Sequence, residues 1–368
     1  MRILMTTDTV GGVWTYATEL ISGLLQKGAA VALVTVGRAP AAAQTRWLES
    51  NRSRWDGSFR WEMSVARLEW MSNNQRAFLD LAPQVVRLAE DFEADLLHSN
   101  QFCFGALPVS VPRLVVAHSD VLSWAVACRG KPLEPSPWLE SYRALTAAGL
   151  RRASAVVAPT RWMLGELAAN FELPRNTYVI PNGRTLPDPA LRSTRKLQAV
   201  TAGRLWDEAN NLQLLAGVSA TVPIFIAGEA KYESQELPAM PASVTMLGAL
   251  EPAELLTLFR ESTIYVCTSQ YEPFGLTPVE AALCGCAVLV NDIPSLREVW
   301  GDAAIYFRDA DSLSDRLLQL SRDPRRLVAA QHRSWQRAQR YTAAVMVDQY
   351  LTLYRTMLSR WESSSDVA

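Results

Sequence analysis

Histidine and lysine are the scarce residues of this 368-residue chain. The histidines are His98, His118 and His332, and the lysines are Lys27, Lys131, Lys196 and Lys231, so arginine supplies nearly all of the positive charge. The formal net charge is −1, which gives no support to a nucleic-acid partner. The five cysteines, Cys103, Cys128, Cys267, Cys284 and Cys286, are odd in number and contain no C-x-x-C pair. That argues against a disulfide framework or a metal knuckle and fits a reducing, cytoplasmic setting. No apolar run approaches the ~18 residues of a membrane span. The first residues, one Arg followed by three apolar side chains before Thr6, read as a strand rather than a secretory leader. No internal repeat is present.

What remains is an ordinary globular composition, 49% hydrophobic and 20% charged, long enough for two domains of roughly 150 residues each. Short apolar runs alternate with helical patterns. Residues 2–5, 30–36, 96–97, 114–117 and 155–158 read as buried strands in the first half. Residues 198–202, 224–227, 244–247, 264–267 and 287–290 do so in the second. This alternation implies an α/β chain with two parallel sheets covered by helices. A turn-rich stretch at 181–190 marks the break, and a last long helical pattern spans 343–361. Between 45 and 75, Trp47, Trp55, Trp61 and Trp70 form an aromatic cluster, three of them following an Arg. They suit either a ligand-facing aromatic surface or, as we favour, packing beneath arginine stems.

The densest chemistry lies between Ser269 and Glu280, where Glu272 and Glu280 bracket Pro-Phe-Gly-Leu-Thr-Pro-Val. Pro278 reads as opening a buried helix over Val279 to Cys284, since its missing N–H has no intrahelical partner in a first turn. The N–H groups of Phe274, Gly275 and Leu276 then face outward and attract anions. Gly11-Gly12 follows the first strand, at the edge where such sheets bind ligands. Arg204 leaves the first strand of the second half and offers a planar donor fork to a diphosphate. His98 and His118 each close a strand at one sheet edge, and the polar Ser119-Asp120 behind His118 marks it as the functional one.

Together, Gly11-Gly12, His118-Ser-Asp120, Val179-Ile-Pro-Asn-Gly183, Gly203-Arg204-Leu205 and Glu272-Pro-Phe-Gly-Leu…Glu280 resemble the retaining glycosyltransferases of family 4, nearly end to end. The resemblance implies a GT-B fold, two Rossmann-like parallel-sheet domains facing across a cleft. Residues 1–180 would form the acceptor-side domain, completed by the helix 343–361, and residues 185–342 the donor domain. It further implies transfer of a sugar from a nucleoside-diphosphate sugar to an acceptor hydroxyl, with no metal and no cofactor. By resemblance, Glu280 would hold the ribose, Glu272 the donor sugar and His118 the transferred sugar. Gly275, Leu276 and Arg204 would bind the diphosphate, and Gly12 would close on it. Phe274, Thr277, Gly228 and Leu247 would line the donor pocket. The acceptor would be a sugar, a lipid-linked sugar or a small molecule, with peripheral membrane contact as one setting.

One departure stands out. The family pairs the Arg with a Lys about six residues on, where this chain has Asn210. Arg184 and Lys231 are the candidate replacement cations, and Asn210→Lys is expected to raise turnover if the clamp lacks one. The alternatives are a nucleotide-sugar-binding protein with weak or lost catalysis, or another GT-B enzyme such as a sugar-nucleotide epimerase.

Overall fold

A computed structural model describes residues 1–71, 74–186, 195–229 and 240–365. The chain divides into two compact units. Unit 1 comprises Met1–Val126, Lys131–Gly183 and Ala343–Ala368; unit 2 comprises Ala127–Gly130 and Arg184–Thr342.

The strands of unit 1 are β1 (Arg2–Asp8), β2 (Ala30–Val36), β3 (Phe59–Met63), β4 (Leu96–Ser99), β5 (Arg113–Val116), β6 (Ala155–Ala158) and β7 (Thr177–Val179). They form one parallel sheet in the order β3-β2-β1-β4-β5-β6-β7. Its helices include α1 (Gly12–Gln26), α2 (Ala42–Arg54), α3 (Asn74–Asp91), α4 (Val121–Arg129), α5 (Pro137–Arg152) and α6 (Arg161–Asn170). Unit 2 carries β8 (Lys196–Ala202), β9 (Ile224–Ala227), β10 (Val244–Gly248), β11 (Ser262–Cys267), β12 (Ala287–Asn291) and β13 (Ile305–Phe307). These too are parallel, in the order β10-β9-β8-β11-β12-β13. The helices α7 (Pro252–Glu261), α8 (Leu276–Leu283), α9 (Pro294–Trp300), α10 (Ala310–Arg322) and α11 (Pro324–Ala338) accompany that sheet. The last helix, α12 (Ala343–Ser365), belongs to unit 1.

Parallel strands covered on both faces read as continuous apolar runs, which is why the central strands were legible in sequence. Ile3, Leu4 and Met5 of β1 and Ile264 and Val266 of β11 are fully buried. The edge strands β3, β7 and β13 went unforeseen. Two of them are three residues long, too short to show a period. The other, β3, runs through the tryptophan-rich stretch. There the aromatic side chains pack against neighbouring side chains. Trp47 meets Trp14 and Phe59 edge-on, and the Trp61 indole N–H donates to Thr35 Oγ1 at 3.1 Å. Arg54 lies over the Trp55 ring.

The C-terminal helix is locked into unit 1 by shape and by hydrogen bonding. A Cβ on Gly23 of α1 would collide with Val347 of α12. Tyr350 and Tyr354 of α12 are fully buried, and the Tyr354 hydroxyl lies 2.6 Å from Nδ1 of the equally buried His98. The other ring nitrogen of His98 faces the Tyr16 hydroxyl at 3.2 Å. His98 therefore bridges α1, β4 and α12, and burial pushes its pKa down to about 3.

Candidate functional site

Both sheets reverse direction of winding beside a central strand, between β1 and β4 in one and between β8 and β11 in the other. In such sheets the crevice at the carboxyl ends of those strands is the place where ligands bind. In unit 2 the two loops that leave this point carry the sequence-predicted residues.

The loop after β8 begins with Gly203 and Arg204. Arg204 Nη2 donates to Asp207 Oδ2 at 2.7 Å, and its guanidinium lies over the Trp206 ring. Its side chain stays 41% exposed, which leaves the fork reachable by an anion. Asn210 closes the turn: its Nδ2 donates to the Arg204 carbonyl at 2.6 Å. The loop after β11 laces onto this turn. Thr268 Oγ1 donates to the Asn210 carbonyl at 2.5 Å, and the Gln270 N–H donates to the Ala209 carbonyl at 2.8 Å. Asn210 thus braces Arg204 and ties the two loops together. Sequence reading saw it only as a missing cation.

Gly275 then adopts φ 87°, ψ 74° and caps α8. That left-handed conformation suits glycine, which carries no Cβ to clash. The helix begins at Leu276, two residues before the Pro278 start expected from sequence. Pro278 still fits, because the third helical residue needs no intrahelical donor either. The outward N–H groups of the first turn therefore belong to Leu276 and Thr277.

Glu272 and Glu280 have different surroundings. The Glu272 carboxylate accepts from the N–H groups of Phe274 and Gly275 and feels the Arg204 charge. Burial outweighs both and raises its pKa above the ordinary carboxylate range. Glu280 lies on the buried face of α8, and Arg184 Nε donates to its Oε1 at 2.6 Å. Arg184, a candidate diphosphate cation, is thus held by the residue expected to hold the ribose. The other candidate, Lys231, lies outside the described residues.

At the ends of β8, β9 and β10 the backbone closes tightly. Gly228, at φ 147°, donates its N–H to the Gly248 carbonyl, and any Cβ there would run into the Gly203 carbonyl. Only glycine fits. Leu247 is exposed at the end of β10.

In unit 1, Gly11 caps α1, and Gly12 begins it at the exposed edge beyond β1. His118 follows β5 and is half-buried, with Nε2 2.8 Å from Asn100 Oδ1 and the Tyr16 ring 4.6 Å away edge-on. Burial pushes its pKa downward. Asp120 is fully buried: its carboxylate accepts from the Tyr142 hydroxyl, from Asn170 Nδ2 and from the N–H groups of Leu122 and Ser123. It anchors α4, α5 and α6, so of the two ionisable members of that motif His118 is the more accessible. Sequence reading overlooked Asn100; its signal was a polar residue directly after a buried strand beside the reversal point. An Asp-x-Asp spacing at Asp309 and Asp311 serves structure, since Asp309 caps α10 through the Ser312 N–H.

Residues 10–186 match the family model described as Glycosyltransferase Family 4, and residues 196–340 match that described as Glycosyl transferases group 1. The chain belongs to the group 1 glycosyltransferases. It is 25% identical over 295 residues to alpha-maltose-1-phosphate synthase of Mycobacterium tuberculosis, covering 68% of this chain and 74% of that one. It is 24% identical over 291 residues to GDP-mannose:cellobiosyl-diphosphopolyprenol alpha-mannosyltransferase of Xanthomonas campestris, covering 71% and 73%. The structure of sucrose-phosphate synthase from Thermosynechococcus elongatus superposes with a TM-score of 0.77 at 16% identity, over 98% of this chain and 100% of that one. This glycosyltransferase accordingly has two Rossmann-like domains of the GT-B fold. Among its described residues no helix is long and apolar enough to cross a membrane.

Proposed function

We propose that this glycosyltransferase moves a sugar from a nucleoside-diphosphate sugar to an acceptor hydroxyl with retention of anomeric configuration and without a metal. The observation that carries the reading is the convergence of Arg204, Glu272, the first turn of α8 and Glu280 at the reversal point of the unit 2 sheet. The leaving diphosphate gains negative charge as the glycosidic bond breaks. Preorganised N–H dipoles and a cation at that point lower the barrier. Leu276 N–H and the Arg204 fork supply them, while the diphosphate competes with Glu272 for the Gly275 N–H. Glu280, steadied by Arg184, takes the ribose hydroxyls. Glu272 meets hydroxyls of the donor sugar. These are separate binding tasks rather than a general acid/base pair. The names of both relatives specify alpha products, in keeping with retention.

The test is a thermal-shift panel of nucleoside diphosphates and their sugars, followed by donor turnover with magnesium and with a chelator. A ligand at 100 times its Kd adds about 2.7 kcal/mol of stability. No shift with any of them removes the reading. Tight binding with neither transfer nor donor hydrolysis would point to a binding protein. Turnover abolished by the chelator would remove metal independence.

A further inference from the structure

We propose that Asn100 is a positioning residue that locks His118 in its Nε2–H tautomer, so that Nδ1 accepts a hydrogen bond from a hydroxyl of the transferred sugar. The second clause rests on the function proposed above; the lock itself does not.

One hydrogen-bonded chain links Thr6, Asn100 and His118. Asn100 is 9% exposed and directly follows β4. Its Nδ2 lies 2.7 Å from the Thr6 carbonyl oxygen in β1. A backbone carbonyl can only accept, so the amide must turn its NH2 toward Thr6 and its oxygen the other way. That oxygen lies 2.8 Å from His118 Nε2. A carboxamide oxygen also only accepts, so Nε2 carries the proton. A neutral imidazole has one N–H, which leaves Nδ1 with a lone pair. Tyr16 of α1 meets the ring edge-on, and His98 of β4 lies near enough for the two imidazoles to disfavour each other's charge. Burial keeps both neutral, and burial likewise disfavours an imidazolium at His118. The register that places Thr6 beside Ser99, one residue before Asn100, holds the relay in the sheet itself. His118 is thereby an acceptor by construction, neither an acid nor a cation. A donor sugar that places a hydroxyl at Nδ1 is accepted. One that places hydrogen or fluorine there leaves the lone pair unmet.

With His98, His118 and His332 as the only histidines, nitrogen-15 imidazole spectra of the whole protein are assignable by single substitution. The expected result near pH 7 is an Nε2–H signature for His118. An Nδ1–H signature, or an imidazolium titrating near the ordinary histidine value, overturns the proposal. Asn100→Asp should raise the His118 pKa and introduce a new ionisation into the pH profile of kcat/KM. Asn100→Ala should mix the tautomers and lower kcat/KM about tenfold. If both variants merely lose thermal stability, with the His118 tautomer and pH profile unmoved, the lock is refuted. If the native tautomer is Nε2–H but no nucleoside-diphosphate sugar perturbs the His118 signals, the sugar contact fails and the lock stands. A deoxy and deoxyfluoro donor series then identifies the hydroxyl. Equal turnover across the series also removes the contact.

Discussion

At the reversal point of the six-stranded sheet the side chains are charged: Arg204 pairs with Asp207, Arg184 pairs with Glu280, and Glu272 lies within reach of the Arg204 charge. At the corresponding edge of the seven-stranded sheet the Asp8 carboxylate accepts from the Val10 N–H, and His98, Asn100, His118 and Tyr16 form a neutral cluster joined by hydrogen bonds and ring contacts. The two sheets share a strand order around their centres, so topology does not explain the contrast. Each edge is suited to a different kind of group. A charged edge with a half-exposed Arg and outward N–H groups suits a diphosphate. A neutral cluster of fixed donors and acceptors suits hydroxyls, which are recognised by geometry rather than by charge.

The contrast can be broken most directly at Arg204. Arg204→Ala should lower kcat for transfer about 10²- to 10³-fold, since it removes a stabiliser of the leaving diphosphate. Steady-state kinetics at saturating donor will show it, and an unchanged kcat would mean that the charge at this edge is not used. Next in size is Gly228→Ala, which forces a Cβ against the Gly203 carbonyl and should destabilise the protein by about 2–3 kcal/mol by denaturant titration.

The third prediction concerns pH and has opposite signs at the two edges. His98 has a folded pKa of about 3, below its unfolded value, so the unfolded chain binds the extra proton in acid. Its stabilising contribution is present near pH 7 and is lost as pH falls below about 6.5, amounting to about 2 kcal/mol by pH 5. The raised pKa of Glu272 acts the other way: its contribution is complete in acid and is lost as pH rises through the folded value. Melting temperature should therefore fall from pH 7 to pH 5 in the native protein and fall less in His98→Gln. Parallel melting curves would contradict the assignment.

The smallest effect is expected at Asn210. Asn210→Lys adds a cation beside Arg204 but removes the amide that donates to the Arg204 carbonyl. It should cost about 1 kcal/mol of stability. Turnover that nevertheless rises would mean that the edge is short of charge; turnover that stays level or falls would mean that the existing cation suffices.

Much of this was legible in the residues. Buried parallel strands are near-continuous apolar runs, so ten of the thirteen strands among the described residues could be placed by composition alone. The Gly-Gly turn, the Arg after β8 and the Glu272–Glu280 segment announced themselves because glycine, Arg and carboxylates at strand ends and helix starts have few structural reasons to be there. Asn100 was not legible: an asparagine after a strand is an ordinary loop residue until its partners, 94 residues before and 18 residues after it, are known. The tryptophans between 45 and 75 could be sorted only by their contacts, because amphipathic rings serve packing and binding alike.

Composition and local pattern were enough for two parallel α/β sheets, their approximate strands, and a donor-like segment with its Arg, because burial and backbone geometry limit which residues can stand at those places. The partnerships came from the tertiary fold. It gave Arg184 to Glu280, set Asn210 as a brace, buried Asp120 as an anchor, and fixed which nitrogen of His118 carries the proton. Those outcomes depend on hydrogen bonds and ion pairs with an angstrom-scale reach between residues distant in the chain, and no local pattern of residues encodes such distances.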